Sequence, residues 1–137
     1  MSSGVGVNPE CLNSFQELKL KKVHKYIIYK LSEDNKSIEV EKTSEASATY
    51  DDFVQQLPED DCRYAVYDFD YTLPDGPRNK IVFFTWSPDN SKIKAKMIYA
   101  SSKDALRKQL QGIGAEIQGT DFDEVHHDAV LEKVNRK

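Results

Sequence analysis

Apolar residues recur every second position in some stretches of this chain and every third or fourth in others, and the changes of period mark its elements. Asn8-Pro9-Glu10 has the chemistry of a helix start, with Asn as cap and Pro in the first turn, and that helix should run to about Leu20. His24 to Leu31 (HKYIIYKL) is aromatic and β-branched and reads as a strand. Ser37 to Thr43 alternates, and the polar turn Glu33-Asp34-Asn35-Lys36 makes the two a hairpin. A short helix is expected from Tyr50 to Leu57, capped by Thr49 and stopped by Pro58. Cys62 to Thr72 (CRYAVYDFDYT) alternates strongly, with Tyr64, Val66, Asp68 and Asp70 on one side. After the turn Leu73-Pro74-Asp75-Gly76-Pro77 comes Asn79 to Trp86, whose run IVFF predicts burial on both faces, as in a central strand. A helix over about Ser91 to Leu110 and a short strand at Ile113 to Gln118 follow. Thr120-Asp121-Phe122-Asp123 resembles a capping box and is expected to open a last helix to about Asn135. The order α-β-β-α-β-β-α-β-α predicts an α/β fold, a mixed sheet of about five to six strands with helices on both faces.

The length of 137 residues suits one domain over the whole chain, with a mobile start at residues 1–6. No apolar run approaches the ~20 residues of a membrane span, and MSSGVGVNPE lacks the basic and apolar segments of a secretory signal. Cys11 and Cys62 belong to no C-x-x-C pair and read as reduced, partly buried thiols of a cytosolic protein. The net charge of −4 argues against a general nucleic-acid binder.

The basic residues are concentrated instead. One cluster is Lys19, Lys21, Lys22, Lys25 and Lys30; the other is the helix after Pro88, with Lys92, Lys94, Lys96, Lys103, Arg107 and Lys108 against one acid, Asp104. At about 100° per residue, Lys103, Lys96, Arg107, Ala100, Asp104, Met97, Lys108 and Ser101 share one arc. Ala105, Ile98, Gln109, Ser102, Leu106, Tyr99 and Leu110 share the other, which is the core face. Met97 is the anomaly, an apolar side chain on the charged arc. It is either a stray surface residue or an apolar anchor inside a charged rim. Exposed ion pairs contribute only about 0–1 kcal/mol each, so charge steers a partner while apolar contact supplies much of the affinity.

No catalytic constellation accompanies this surface. Adjacent His126 and His127 point about 100° apart on a helix with no third metal ligand in sequence. Asp68 and Asp70 read as the polar side of a strand, Gly112-x-Gly114 lacks the rest of a phosphate-binding fingerprint, and Ser101-Ser102-Lys103 lacks the context of a serine–lysine enzyme. The expectation is a protein that is no enzyme and holds no cofactor or metal.

Tyr64-Ala-Val-Tyr-Asp-Phe-Asp-Tyr71, Lys80-Ile-Val-Phe-Phe-Thr-Trp-Ser-Pro88, Lys96-Met-Ile-Tyr-Ala-Ser-Ser-Lys-Asp-Ala-Leu-Arg107 and Gly119-Thr-Asp-Phe122, with Ser3-Gly4-Val5 at the start, resemble the actin-depolymerising factor/cofilin family in its compact, fungal-type form. The resemblance covers essentially the whole chain. It implies the ADF-homology fold and a monomeric protein that binds actin monomers and filaments, ADP-bound actin preferentially. It also implies severing of filaments and faster loss of their subunits. Coactosin-like and glia-maturation-factor-like relatives, which do not sever, and a phosphoinositide-binding module remain as alternatives. KMIYASSKDALR and the Ser-Gly-Val start favour cofilin over those relatives.

Carried onto matching positions, the resemblance implies a surface for monomer and filament made by Ser3, Gly4, Val5, Lys94, Lys96, Met97, Asp104, Arg107 and Lys108. Met97 would enter a hydrophobic cleft of actin. A filament-only surface would use Arg78, Lys80, Glu132, Lys133 and Arg136. Position 94 is Lys where relatives often have Arg, and position 95 is Ala where a polar residue is frequent. Ser3 is the family's phosphorylation position. Lys94, Lys96, Lys103, Arg107 and Lys108 would also meet phosphoinositide head groups. The expected location is the cytoplasm and the cortical actin cytoskeleton, with the nucleus open.

Overall fold

In the computed structural model, which describes residues 4–135, the apolar runs CRYAVYDFDYT and NKIVFFTW become the two longest strands and pair over their whole length. The elements in chain order are β1 (Gly6–Val7), α1 (Pro9–Gln16), β2 (Tyr26–Leu31), β3 (Ser37–Thr43), α2 (Tyr50–Gln55), β4 (Arg63–Leu73), β5 (Gly76–Trp86), α3 (Ile93–Arg107), β6 (Ile113–Gly119) and α4 (His127–Asn135). The strands form one sheet in the order β1-β3-β2-β4-β5-β6. The outer pairs β1–β3 and β5–β6 are parallel and the inner ones antiparallel, so the sheet is mixed as expected.

Strand alternation sends two sets of side chains to opposite faces. Tyr64, Val66, Ile81 and Phe83 join Phe15, Leu18, Tyr99 and Leu106 beneath α1 and α3. Ala65, Tyr67, Val82, Phe84 and Trp86 join Phe53, Val130 and Val134 beneath α2 and α4. The run from Ile81 to Trp86 is buried on both faces, as IVFF predicted. Cys11 and Cys62 are both buried and free.

Most caps follow the sequence. The Asn8 side chain accepts from Glu10 N at 2.9 Å, and Thr49 Oγ1 accepts from Asp52 N at 3.2 Å. Four features differ from expectation. Gly6–Val7 forms a short strand against Ser37–Ile38 that no periodicity announces. The first helix ends as an α-helix at Gln16 and continues as a π-helical turn over Glu17–Lys21, closed by Lys22 in the left-handed conformation (φ 55°). Asp68 lies buried, held by Lys22 Nζ at 3.3 Å and by the Asn79 amide, so it is no part of a solvated strand face.

The fourth correction concerns the last helix, which starts at His127. The capping exchange near Thr120 is real but lies between Asp121, which accepts from Glu124 N at 3.0 Å, and Glu124, which accepts from Thr120 N at 2.7 Å. Backbone bonds then run three residues back, from Glu124, Val125 and His126, and this tight turn drives Val125 into the core before the α-helix begins.

Gly119 sits at the tightest point of this junction. A Cβ there would stand 2.7 Å from Val125 Cγ1 and 3.2 Å from the Trp86 ring. Gly119→Ala should therefore lower stability by about 1–3 kcal/mol through overpacking. Denaturant unfolding beside wild type measures this, and an unchanged midpoint would mean that Val125 and Trp86 yield freely.

Candidate functional surface

Helix α3 is the return limb of a strand–helix–strand unit, leaving β5 at Trp86 and delivering the chain to β6, parallel to β5. Its inner face is fixed by Tyr99, whose hydroxyl accepts from Leu31 N at 3.0 Å while its carbonyl accepts from the Tyr64 hydroxyl. Burial pushes both phenol pKa values up, so both stay neutral hydrogen-bonding groups. Ser102, Leu106 and Leu110 are fully or almost fully buried, and Gln109 is half-buried. The helix therefore presents the arc that the sequence assigned to solvent.

On that arc Met97 is 66% exposed, and Ile93, one turn earlier, is 75% exposed. Residues four apart on a helix are neighbours, so the two make one apolar ridge. Sequence reasoning found Met97 and missed Ile93, although the i, i+4 spacing to Met97 was its signal. Lys94 stands beside the ridge and Lys108 lies about three turns further along the same arc; neither makes an ion pair among the described residues, and Asp104 is exposed on that arc. Lys96 reaches back to Asp89 O at 3.1 Å, tying the helix to the loop before it.

Lys103 and Arg107 behave differently from expectation. Both reach Glu116 on β6, at 3.2 Å and 3.1 Å, so one carboxylate offsets part of their combined charge. Burial raises the Glu116 carboxyl, and the two cations more than offset this, holding its pKa below the usual 4.5. The sequence showed one acid beside the helix; the second arrives only when β6 pairs with β5.

The chain start lies along the same helix. Val5 and Val7 pack against the same buried cluster as Ala95 and Ile98 of α3, and Gly4 is exposed in a left-handed conformation (φ 79°). Ser3 lies outside the described residues. Between the β2–β3 turn and the start of α3 is an open groove of about 340 Å³, lined in part by Lys30, Arg63, Lys92 and Lys94. Arg63 in it is held by Glu41 and Asp61.

The second predicted set gathers at the other end of β5. Lys80 Nζ donates to Val134 O at 2.8 Å, capping the end of α4, and Arg78 pairs with Asp75. Glu132 and Lys133 are exposed on α4. The structure thus joins the strand start to the last helix through Lys80; Arg136 lies outside the described residues. Among the rejected candidates, His127 stacks on Phe69 with ring centroids 5.1 Å apart, and no group of three His, Cys, Asp or Glu among the described residues is placed to hold a metal.

The Glu116 linkage has a definite sign. A carboxyl whose folded pKa is lowered adds stability above its unfolded value and loses it as pH falls through the folded value. Glu116→Gln should cost less than about 1 kcal/mol at neutral pH, since the pair is well exposed. The difference from wild type should vanish in acid, below the lowered pKa. Unfolding curves at neutral and acid pH check this, and a pH-independent difference would contradict it.

A family model described as Cofilin/tropomyosin-type actin-binding protein matches residues 4–135. The cofilin of Mycosarcoma maydis is 63% identical over 137 residues, covering 99% of this chain and 98% of its own. The cofilin of Schizosaccharomyces pombe is 55% identical over 135 residues, covering 98% of each. The crystal structure of Streptomyces griseoflavus cofilin superposes with a TM-score of 0.92 at 54% identity, over 97% of this chain and 98% of that one. With this sheet, these helices and this match along nearly its whole length, the chain belongs to the actin-depolymerising factor/cofilin family of actin-binding proteins.

Proposed function

We propose that this protein binds actin monomers and filaments, severs filaments and promotes their depolymerisation, without enzymatic chemistry of its own. The observation that carries the reading is the Ile93–Met97 ridge on α3, exposed beside Lys94 and the half-buried Lys96, with Lys108 further along the same arc. Burying a side chain of that size contributes about 1.5–3 kcal/mol, more than any single exposed ion pair. The lysines orient the partner and the ridge holds it. Gly4, Val5, Asp104 and Arg107 complete this shared surface, and Arg78, Lys80, Glu132 and Lys133 serve the filament alone.

Binding two neighbouring subunits lets the protein favour one filament geometry over another, by as much as its affinities for the two differ. A preference for ADP-bound actin is part of the same reading, as is work in the cytoplasm at cortical actin. Phosphoinositide head groups would compete with actin for the lysines of α3. The groove lined by Lys30, Lys92 and Lys94 supports that, and the partial compensation of Lys103 and Arg107 by Glu116 weakens their share.

Filament co-sedimentation of Lys96→Ala/Met97→Ala beside wild type tests the reading, with circular dichroism as the folding check. Wild type should pellet with filaments and the variant should bind about 10- to 100-fold more weakly. Wild type left in the supernatant would sink filament binding, and two proteins that pellet alike would move the anchor elsewhere. A phosphate on Ser3, next in sequence to Gly4, would add about −1.5 to −2 charges. Ser3→Glu should accordingly weaken binding to monomeric actin, read as the loss of a complex on a native gel. Monomer binding equal to wild type would remove Ser3 from the interface.

A further inference from the structure

Between one flank of α3 and the ends of β5 and β6 lies a pocket of about 210 Å³ whose floor belongs to neither predicted surface. Thr85 of β5 and Gln118 of β6, partners across the ladder, form that floor with Ser87. Lys96, Ala100 and Lys103 form the helical wall. Their i, i+4, i+7 spacing puts all three on one flank of the helix. Ala100 carries only a methyl group between the two lysines, and that leaves the space open.

Thr85 is only 8% exposed, and its hydroxyl lines the pocket without a hydrogen bond among the described residues. Buried polar side chains nearly always have a partner, so a hydroxyl in this position marks where a ligand oxygen would be met. The Gln118 amide likewise makes no hydrogen bond among the described residues. Ser87 Oγ accepts from Cys62 Sγ at 3.6 Å and keeps its own proton to donate.

The wall fixes the charge of that ligand. The lining holds two ammonium groups and no carboxylate. Lys96 uses one N–H on Asp89 O at 3.1 Å and Lys103 one on Glu116 at 3.2 Å, which leaves each ammonium further protons to donate. Ammonium, hydroxyl and amide donors around one small space suit an oxyanion with acceptors on several sides. A phosphate group has about −1.5 to −2 charges and three such oxygens, and lysine binds it as a point charge. The space is smaller than the roughly 300 Å³ at which pockets for drug-sized ligands begin. The phosphate therefore sits on a small carrier or on one that stays outside.

We propose that this pocket binds a single phosphate group, with Thr85, Ser87 and Gln118 as neutral donors and Lys96 and Lys103 as the opposing charges. The inference stands apart from the actin reading and needs no actin for its test. It also differs from contact between head groups and exposed lysines, because it depends on a buried hydroxyl that a surface attraction does not sense. Glu116 competes with the ligand for Lys103 and so lowers its affinity.

The test titrates the isotopically labelled full chain with inorganic phosphate at constant ionic strength, reading backbone amide shifts, with thermal melting as the folding check. The amides of Thr85, Ser87, Ala100 and Gln118 should shift together and saturate in the millimolar range. Thr85→Val should bind about fivefold or more weakly, and Thr85→Ser, which keeps the hydroxyl, within about threefold of wild type. Glu116→Gln should bind about two- to fivefold more tightly, since Lys103 is released. Shifts that never saturate, or that spread evenly to Lys19, Lys21 and Lys94, mean an adventitious ion only and overturn the inference. Equal affinity of Thr85→Val and wild type overturns it too. A second arm uses phosphatidylcholine vesicles carrying a phosphoinositide bisphosphate. Vesicle binding that falls with Thr85→Val alongside phosphate binding assigns the phosphate to a lipid head group. Vesicle binding that does not change while phosphate binding falls assigns it to a soluble monoester.

Discussion

The ladder between β4 and β5, running from Arg63 opposite Trp86 to Leu73 opposite Gly76, carries side chains that must be buried on both of its faces. Tyr64 to Phe69 and Ile81 to Trp86 are almost wholly excluded from water. A sheet apolar on both sides is stable only with a layer on each, and the two buried clusters show what each layer supplies. Helices α1 and α3 close one face, α2 and α4 the other. Each large core side chain contributes about 1.5–3 kcal/mol when fully buried, so neither layer can be removed without exposing the ladder.

The same arrangement sorts charge. The α2 region, residues 45–61, carries Glu45, Asp51, Asp52, Glu59, Asp60 and Asp61 and no Lys or Arg. Residues 121–132, leading into α4, add Asp121, Asp123, Glu124, Asp128 and Glu132, again with no Lys or Arg. Lys19, Lys21, Lys94, Lys96 and Lys108 belong to the opposite layer. A protein of net charge −4 thereby turns a basic face to one side and an acidic face to the other. Such a field orients an approaching acidic partner before contact, although it contributes little to the affinity once bound.

Much of this was legible in the sequence, for local reasons. The core arc of α3 follows from helical period alone, and Met97 stood out because it broke that period. The β4 and β5 strands announced themselves by alternation and by an unbroken apolar run. What escaped depends on residues far apart in the chain. Glu116 partly offsets Lys103 and Arg107 only because β6 pairs with β5, and Gly6–Val7 becomes a strand only because Ser37–Ile38 offers an edge. The π-helical turn keeps the apolar spacing of a helix, so periodicity cannot distinguish it. The last helix was misplaced because the Thr120 region has cap chemistry, while packing of Val125 demands a tighter turn first.

Strand β5 also sets the distance between the two proposed surfaces. Near its start at Gly76 it carries Arg78 and Lys80 of the filament-only set, and it ends at Trp86, where the loop to α3 begins. From Lys80 to Trp86 a strand spans about 20 Å. Both ends are clamped, one by the Lys80 bond to Val134 and the other by the Trp86 indole bond to Pro58 O at 2.6 Å. The stretch from Ile81 to Trp86, close-packed on both faces, resists stretching or hinging to suit a partner. If two actin subunits meet the two surfaces together, the subunits must adjust to the protein. A rigid spacer of this kind shifts a filament between geometries only through the difference in affinity it realises between them. The stiffness of the β4–β5 ladder thus becomes the physical source of any change it imposes.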